Sequence, residues 1–155
     1  MHHSRFEGTE QNLVGWLRGL WLEHYVLDVL KNLKARLHLT DEAQNLRTQG
    51  VEFNVDVAAV RGYQLFVFSC KAASGSRPRL KLGLFEAHVR ARQLGGDEAR
   101  VALVCCAEDT ESLEQEIQRE FDLRRGRVRV FGRQDLAELS GHLQNWILEQ
   151  GDQRR

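Results

Sequence analysis

The sequence has a single proline, Pro78, and no internal repeat or low-complexity tract in its 155 residues. Nothing reads as a linker between domains, so one domain is expected over 1–155, long enough to bury a real core. Cysteine is scarce too. Cys70, Cys105 and Cys106 are too few and too irregular for a disulfide framework, and no CxxC pair or spaced Cys/His set suggests structural zinc. All three lie in apolar, strand-like runs, which predicts buried free thiols and a cytoplasmic location. No apolar run approaches the roughly 20 residues needed to cross a bilayer, and no basic segment followed by an apolar block marks a secretory signal, so no membrane association is expected. Residues 1–9, which begin Met1-His2-His3, are expected to be flexible or left over from expression. Net charge is also missing, since 22 basic residues balance 22 acidic ones. A nucleic-acid binder of this composition must use local patches. Two exist: Lys71, Arg77, Arg79 and Lys81, then Arg124, Arg125, Arg127 and Arg129.

What is present is strong periodicity. Leu13, Trp16, Leu17, Leu20, Trp21, Leu27 and Leu30 recur at spacings of three and four, which predicts a helix over 10–34. "VEFNVDVAAV", residues 51–60, alternates as a strand, with Val51, Phe53, Val55 and Val57 facing one way and Glu52, Asn54 and Asp56 the other. After the turn signal Arg61-Gly62, "YQLFVFSCK" is apolar on both faces, as a central strand is. "AASGSRPR", spanning 72–79, reads as a mobile loop. Helices are expected over 80–94, 110–123 and 134–150, with strands at "RVALVCCA" and "RVRVFG". The order is helix, two-stranded hairpin, helix, strand, helix, strand, helix. An α/β fold follows, a mixed β-sheet flanked by helices on both faces.

Several polar residues stand where apolar ones would be expected. Glu23 interrupts the apolar stripe of the first helix, between Leu20 and Leu27. A carboxylate there must be paired, protonated or bound to a cation, and an arginine is the plain partner. Asn54 and Asp56 share one face of the first hairpin strand, Ser69 and Lys71 one face of the second. An antiparallel hairpin brings Asp56 near Lys71. The plain reading is a cross-strand ion pair, worth under about 1 kcal/mol if exposed. The chemical reading is a site for Mg²⁺ on oxygen ligands, with a lysine supplying positive charge to a phosphoryl transition state.

The stretches "WLRGLWLEHYVLDVL", "EFNVDVAAVRGYQLFVFSCK", "LFEAHVRARQLGGDEARVALV" and "RVRVFGRQDLAELSGHLQNW" cover nearly the whole chain. In that order they resemble the PD-(D/E)XK nuclease superfamily, and more narrowly the nuclease domain of CRISPR-associated effectors that carry a CARF sensor domain. The resemblance implies a restriction-endonuclease-like fold and an endonuclease dependent on Mg²⁺ or Mn²⁺ that cuts DNA or RNA in antiviral defence. It makes Glu23 the first-helix glutamate, Asp56 the metal-binding aspartate and Lys71 the signature lysine. Two positions depart from the common pattern, with Asn54 and Ser69 where many members have carboxylates. Glu86, on the following helix, would replace the missing acid, as in members where that function has migrated. Its plain alternative is a surface glutamate paired with Arg90 at i+4. Arg77, Arg79, Lys81 and Arg127 would track the nucleic-acid backbone. The implied partners are a nucleic-acid substrate, a second copy in a homodimer, and a CARF sensor or other regulator absent from this chain. The competing reading is a decayed nuclease-fold module that binds nucleic acid or a protein partner.

Overall fold

The computed structural model describes residues 19–48, 51–72, 76–121 and 127–149, with Arg47, Thr48 and residues 51–54 described by their backbone alone. Among these residues the order is α1 (Trp21–Leu37), β1 (Asp41–Thr48), β2 (Val51–Arg61), β3 (Gln64–Lys71), α2 (Arg77–Gly95), β4 (Arg100–Cys105), α3 (Thr110–Glu120), β5 (Val128–Phe131) and α4 (Leu139–Leu148). The strands lie side by side in chain order, β1-β2-β3-β4-β5. β1, β2 and β3 run antiparallel, while β3, β4 and β5 run parallel. Parallel neighbours need crossovers, which α2 and α3 supply. Both cover the same face, as successive crossovers of one hand require.

Each face has its own core. On one, Leu22, Val26, Leu30 and Leu37 of α1 and Leu139, Leu143 and Ile147 of α4 pack on Val57, Phe66, Phe68 and Val104. Trp146 meets Phe66, Phe68 and Phe131 edge-on, at centroid distances of 5.6, 5.9 and 6.0 Å. On the other, Leu80, Leu84, Ala87 and Ala91 of α2 and Leu113 and Ile117 of α3 pack on Val67, Val101, Leu103 and Val128. β3 and β4 are therefore covered twice, which is why they read as unbroken apolar runs. The expected mixed α/β sheet with helices on both faces is what forms. No helix among the described residues is long and apolar enough to cross a membrane.

Four expectations need correction. β1 was not anticipated, because "DEAQNLRT" has only Ala43 and Leu46 as apolar residues. Among the described residues it is the outer strand, paired with β2 alone, and an edge strand needs little hydrophobicity. The second helix begins at Arg77, so Arg77, Pro78 and Arg79 form its first turn rather than the end of a loop. Proline suits that turn because its missing N–H would have no partner there; residues 73–75 of the expected loop lie outside the described residues. The third helix closes at Glu120, and the last begins as a 3₁₀ turn, Arg133–Glu138, before α4. Finally, Val55 and Val57 do not share a face: Val57 packs under α1 and α4, Val55 under α2. The alternation slips at Asp56, which the site exploits.

Candidate active site

The slip has a visible geometry. β1 and β2 stay in register through Gln44–Val57 and Leu46–Val55. Between those pairs Asn45 is left-handed, with φ 52°, a conformation asparagine tolerates better than most residues. On the other side, β2 pairs with β3 from Arg61–Gln64 to Val57–Phe68 and then leaves it. The next backbone donor that needs an acceptor belongs to Cys70. Asp56 supplies one, as Cys70 N donates to Asp56 Oδ2 at 2.8 Å. The carboxylate thus bridges the splayed strands instead of standing on one face of the sheet.

This places the residues singled out by sequence as follows. Asp56, Ser69, Lys71, Gly83, Glu86 and Arg90 line one cleft of about 40 Å³ between β3 and α2. Lys71 and Glu86 are exposed and Asp56 half-buried, while Ser69 is 6% exposed. Glu86 therefore faces the same space as Lys71, and so does Arg90, one turn further along α2. Glu23 approaches from the opposite face of the sheet. It is half-buried, and the partner shown is an amide rather than the arginine of the plain reading: Gln44 Nε2 donates to Glu23 Oε2 at 3.2 Å. Burial raises the Glu23 carboxyl above its ordinary value, the Gln44 hydrogen bond opposes this, and the Asp56 carboxylate adds to it. Cys70 lies between these groups. Burial pushes its thiol well up, the Asp56 and Glu23 carboxylates push it further, and Lys71 opposes them. A thiol held so firmly protonated is inert packing. Asn54 lies outside the residues whose side chains are described.

The expected backbone-tracking cations divide. Arg77 Nε donates to Glu116 Oε2 at 2.8 Å and Lys81 to Glu116 and Glu120, so both tie α2 to α3. Arg127 donates to the Asp97 carbonyl. Arg79 is exposed and lies one helical turn before Gly83 in α2. Sequence reading passed over Gly83, which lies against the Lys71 stem; the available signal was a glycine inside a helical pattern. Gln44 was missed because its strand was missed.

As a metal site the donor set is sparse but suitable. Among the described residues no three Asp, Glu, His or Cys side chains group closely enough to hold an ion alone. Mg²⁺ does not ask for that, since it keeps several waters and takes one or two carboxylates plus substrate phosphate. Asp56 spends Oδ2 on Cys70, Oδ1 is its second donor atom, and Glu86 adds a second carboxylate to the same cleft. A larger cavity of about 700 Å³ at the β5 edge is lined by Glu111, Glu114, Asp135 and Glu149 against Arg129 and His142, a balance that repels phosphate.

The family model described as "Card1-like, endonuclease domain" matches residues 10–150. No curated protein sequence matches. Among solved structures, Can2 from Sulfobacillus thermosulfidooxidans, solved in complex with cyclic tetra-adenylate, is similar at a TM-score of 0.66 and 17% identity, over 82% of this chain and 35% of that one. Protein VC1899 from Vibrio cholerae is similar at a TM-score of 0.64 and 26% identity, over 83% of this chain and 33% of that one. The chain thus spans about a third of the length of each.

Proposed function

The chain belongs to the Card1-like endonuclease domain family, and from that membership and the cleft between β3 and α2 we propose that it hydrolyses phosphodiester bonds with Asp56, Lys71 and Glu86 at its centre. The observation that carries this reading is the meeting of those three side chains and Ser69 in one cleft, although fourteen residues of sequence lie between Asp56 and Lys71 and again between Lys71 and Glu86. Asp56 Oδ1 and Glu86 would hold Mg²⁺ or Mn²⁺, in the manner of the PD-(D/E)XK enzymes that the sequence resembles. Such an ion polarises a phosphate and lowers the pKa of a bound water. The chain's own groups do the rest. The Cys70 N–H fixes the Asp56 carboxylate, so its orientation is set before substrate arrives. The Lys71 ammonium faces the charge that builds on the phosphoryl oxygens. The Ser69 hydroxyl and the Glu23 carboxyl flank the strand end, each able to hold a water. Arg79, exposed in the first turn of α2 one helical turn before Gly83, is a further cation that could meet a backbone phosphate.

The same reading has it serve CRISPR-linked antiviral defence in the cytoplasm, as a homodimer governed by a CARF sensor domain or other regulatory partner that reads a cyclic oligoadenylate. The deciding experiment is cleavage of supercoiled plasmid and of labelled RNA with Mg²⁺, Mn²⁺ or EDTA. Metal-dependent cutting is expected, reduced at least about 100-fold in Lys71→Ala and Glu86→Ala, the scale of a lost electrostatic group. Cutting that survives Glu86→Ala would sink the role of Glu86 while leaving the nuclease. A second reading, a decayed module that binds nucleic acid or protein, draws on the absence of a three-ligand group among the described residues. It is favoured if no substrate is cut and calorimetry detects no binding of either metal.

A further inference from the structure

Gly83 sits well inside α2 (Arg77–Gly95) in ordinary helical conformation. Its backbone has no need of glycine, and glycine is a poor helix former. The explanation lies across the interface with β3. A Cβ built at Gly83 would stand 3.1 Å from Lys71 Cε and 3.8 Å from Ser69 Oγ. Gly141, inside α4, offers the contrast, since a Cβ there would meet nothing within 4 Å. The empty volume at Gly83 is the space through which the Lys71 stem passes.

We propose that Gly83 is a positioning residue: its missing side chain forms the slot that holds the Lys71 stem between α2 and β3 and so sets where the ammonium stands against Asp56 and Glu86. The catalytic consequence rests on the nuclease reading of Lys71, whereas the slot itself does not. A lysine carries four rotatable side-chain bonds, and a free stem would spread its charge over a wide volume. With Cε held against the helix, Nζ is one bond away, and its range is small. An alanine at position 83 would force the stem to shift by a few tenths of an ångström. Displacements of this order at a reacting centre are costly in rate, because the electrostatic gain depends on the charge already being in place.

The test compares Gly83→Ala with Gly141→Ala, since both replace a helical glycine and both should hold or raise the melting temperature. Two readouts are taken. The first is cleavage, where Gly83→Ala should lower kcat about tenfold with KM within about twofold, while Gly141→Ala stays within about twofold of wild type. In a Lys71→Ala background, Gly83→Ala should cost nothing further. The second needs no activity: in ¹³C-lysine-labelled protein the Lys71 Cε resonance should move in Gly83→Ala and stay in Gly141→Ala. Assignment is simple because the only lysines are Lys31, Lys34, Lys71 and Lys81. An unmoved Lys71 resonance overturns the proposal, as does a rate loss that persists in the Lys71→Ala background. If the resonance moves but the wild-type protein cuts nothing, the slot stands and the nuclease reading falls.

Discussion

Removing the Asp56 carboxylate and removing only its charge should have different consequences, because its two oxygens have different partners. Oδ2 accepts the Cys70 N–H at the point where β2 parts from β3. Asp56→Asn can keep that acceptor while losing the charge a metal or phosphate site needs. Asp56→Ala leaves a nearly buried backbone donor with nothing to bond, at about 1–3 kcal/mol. Urea denaturation should therefore show Asp56→Asn close to wild type and Asp56→Ala lower by that amount, with both inactive in the plasmid and RNA assays. Equal stability of the two variants would mean that the hydrogen bond contributes little, and that the carboxylate is not anchored as described.

Between elements, the contact to watch is that of α3 with β5, the outer parallel strand. An exposed strand edge invites pairing with other chains. Here α3 occupies the edge with side chains one turn apart. Glu114 Oε2 accepts the Val130 N–H at 2.9 Å, and Gln118 Nε2 donates to the Val128 carbonyl at 3.5 Å. Burial raises the Glu114 carboxyl above its ordinary value, against the opposing effects of the Val130 hydrogen bond and Arg129. Above the ordinary carboxylate value of 4.5, and up to the raised folded value, the folded state binds more protons than the unfolded one. Stability then falls as pH rises through that window. Glu114→Gln retains an acceptor without the ionisation. Wild type should thus lose stability relative to this variant as pH rises above 4.5, measured as urea midpoints. A constant difference across that range would refute the assignment. Glu114→Leu should instead expose the edge and promote aggregation.

At the scale of the whole molecule, zero net charge leaves nucleic-acid binding to a few unengaged cations. Arg77 and Lys81 hold Glu116, whose carboxyl they draw below its ordinary value, first through the Lys81 hydrogen bond. Cations already neutralised in this way release few counterions when they meet a phosphate. In salt titrations of binding to duplex DNA, Arg79→Ala should flatten the slope of log K against log salt by about 0.9, the value for one lost phosphate contact. Arg77→Ala and Lys81→Ala should change it little. A slope unaffected by Arg79→Ala would remove that residue from the interface.

Much of this was legible in the chain itself. Period-two and helical patterns marked β2, β3, α2 and α4, since burial of apolar side chains acts on sequence spacing directly. Polar residues in apolar company marked Glu23, Asp56, Ser69 and Lys71, because an unmatched polar group in a core needs a reason. Other features had no local signature. β1 is an edge strand held by β2 and needs no hydrophobic pattern of its own. The face-switch at Asp56 follows from how β2 leaves β3 while staying paired with β1, so it depends on Asn45 and Cys70 as much as on Asp56. The neutralisation of Arg77 and Lys81 depends on α3, some thirty-five residues away in the chain. The role of Gly83 exists only where α2 crosses the Lys71 stem. Sequence by itself determined which polar side chains stand in apolar company and which segments fold regularly. The tertiary structure alone decided which of those side chains meet, since convergence comes from packing distant elements and not from any single stretch of chain.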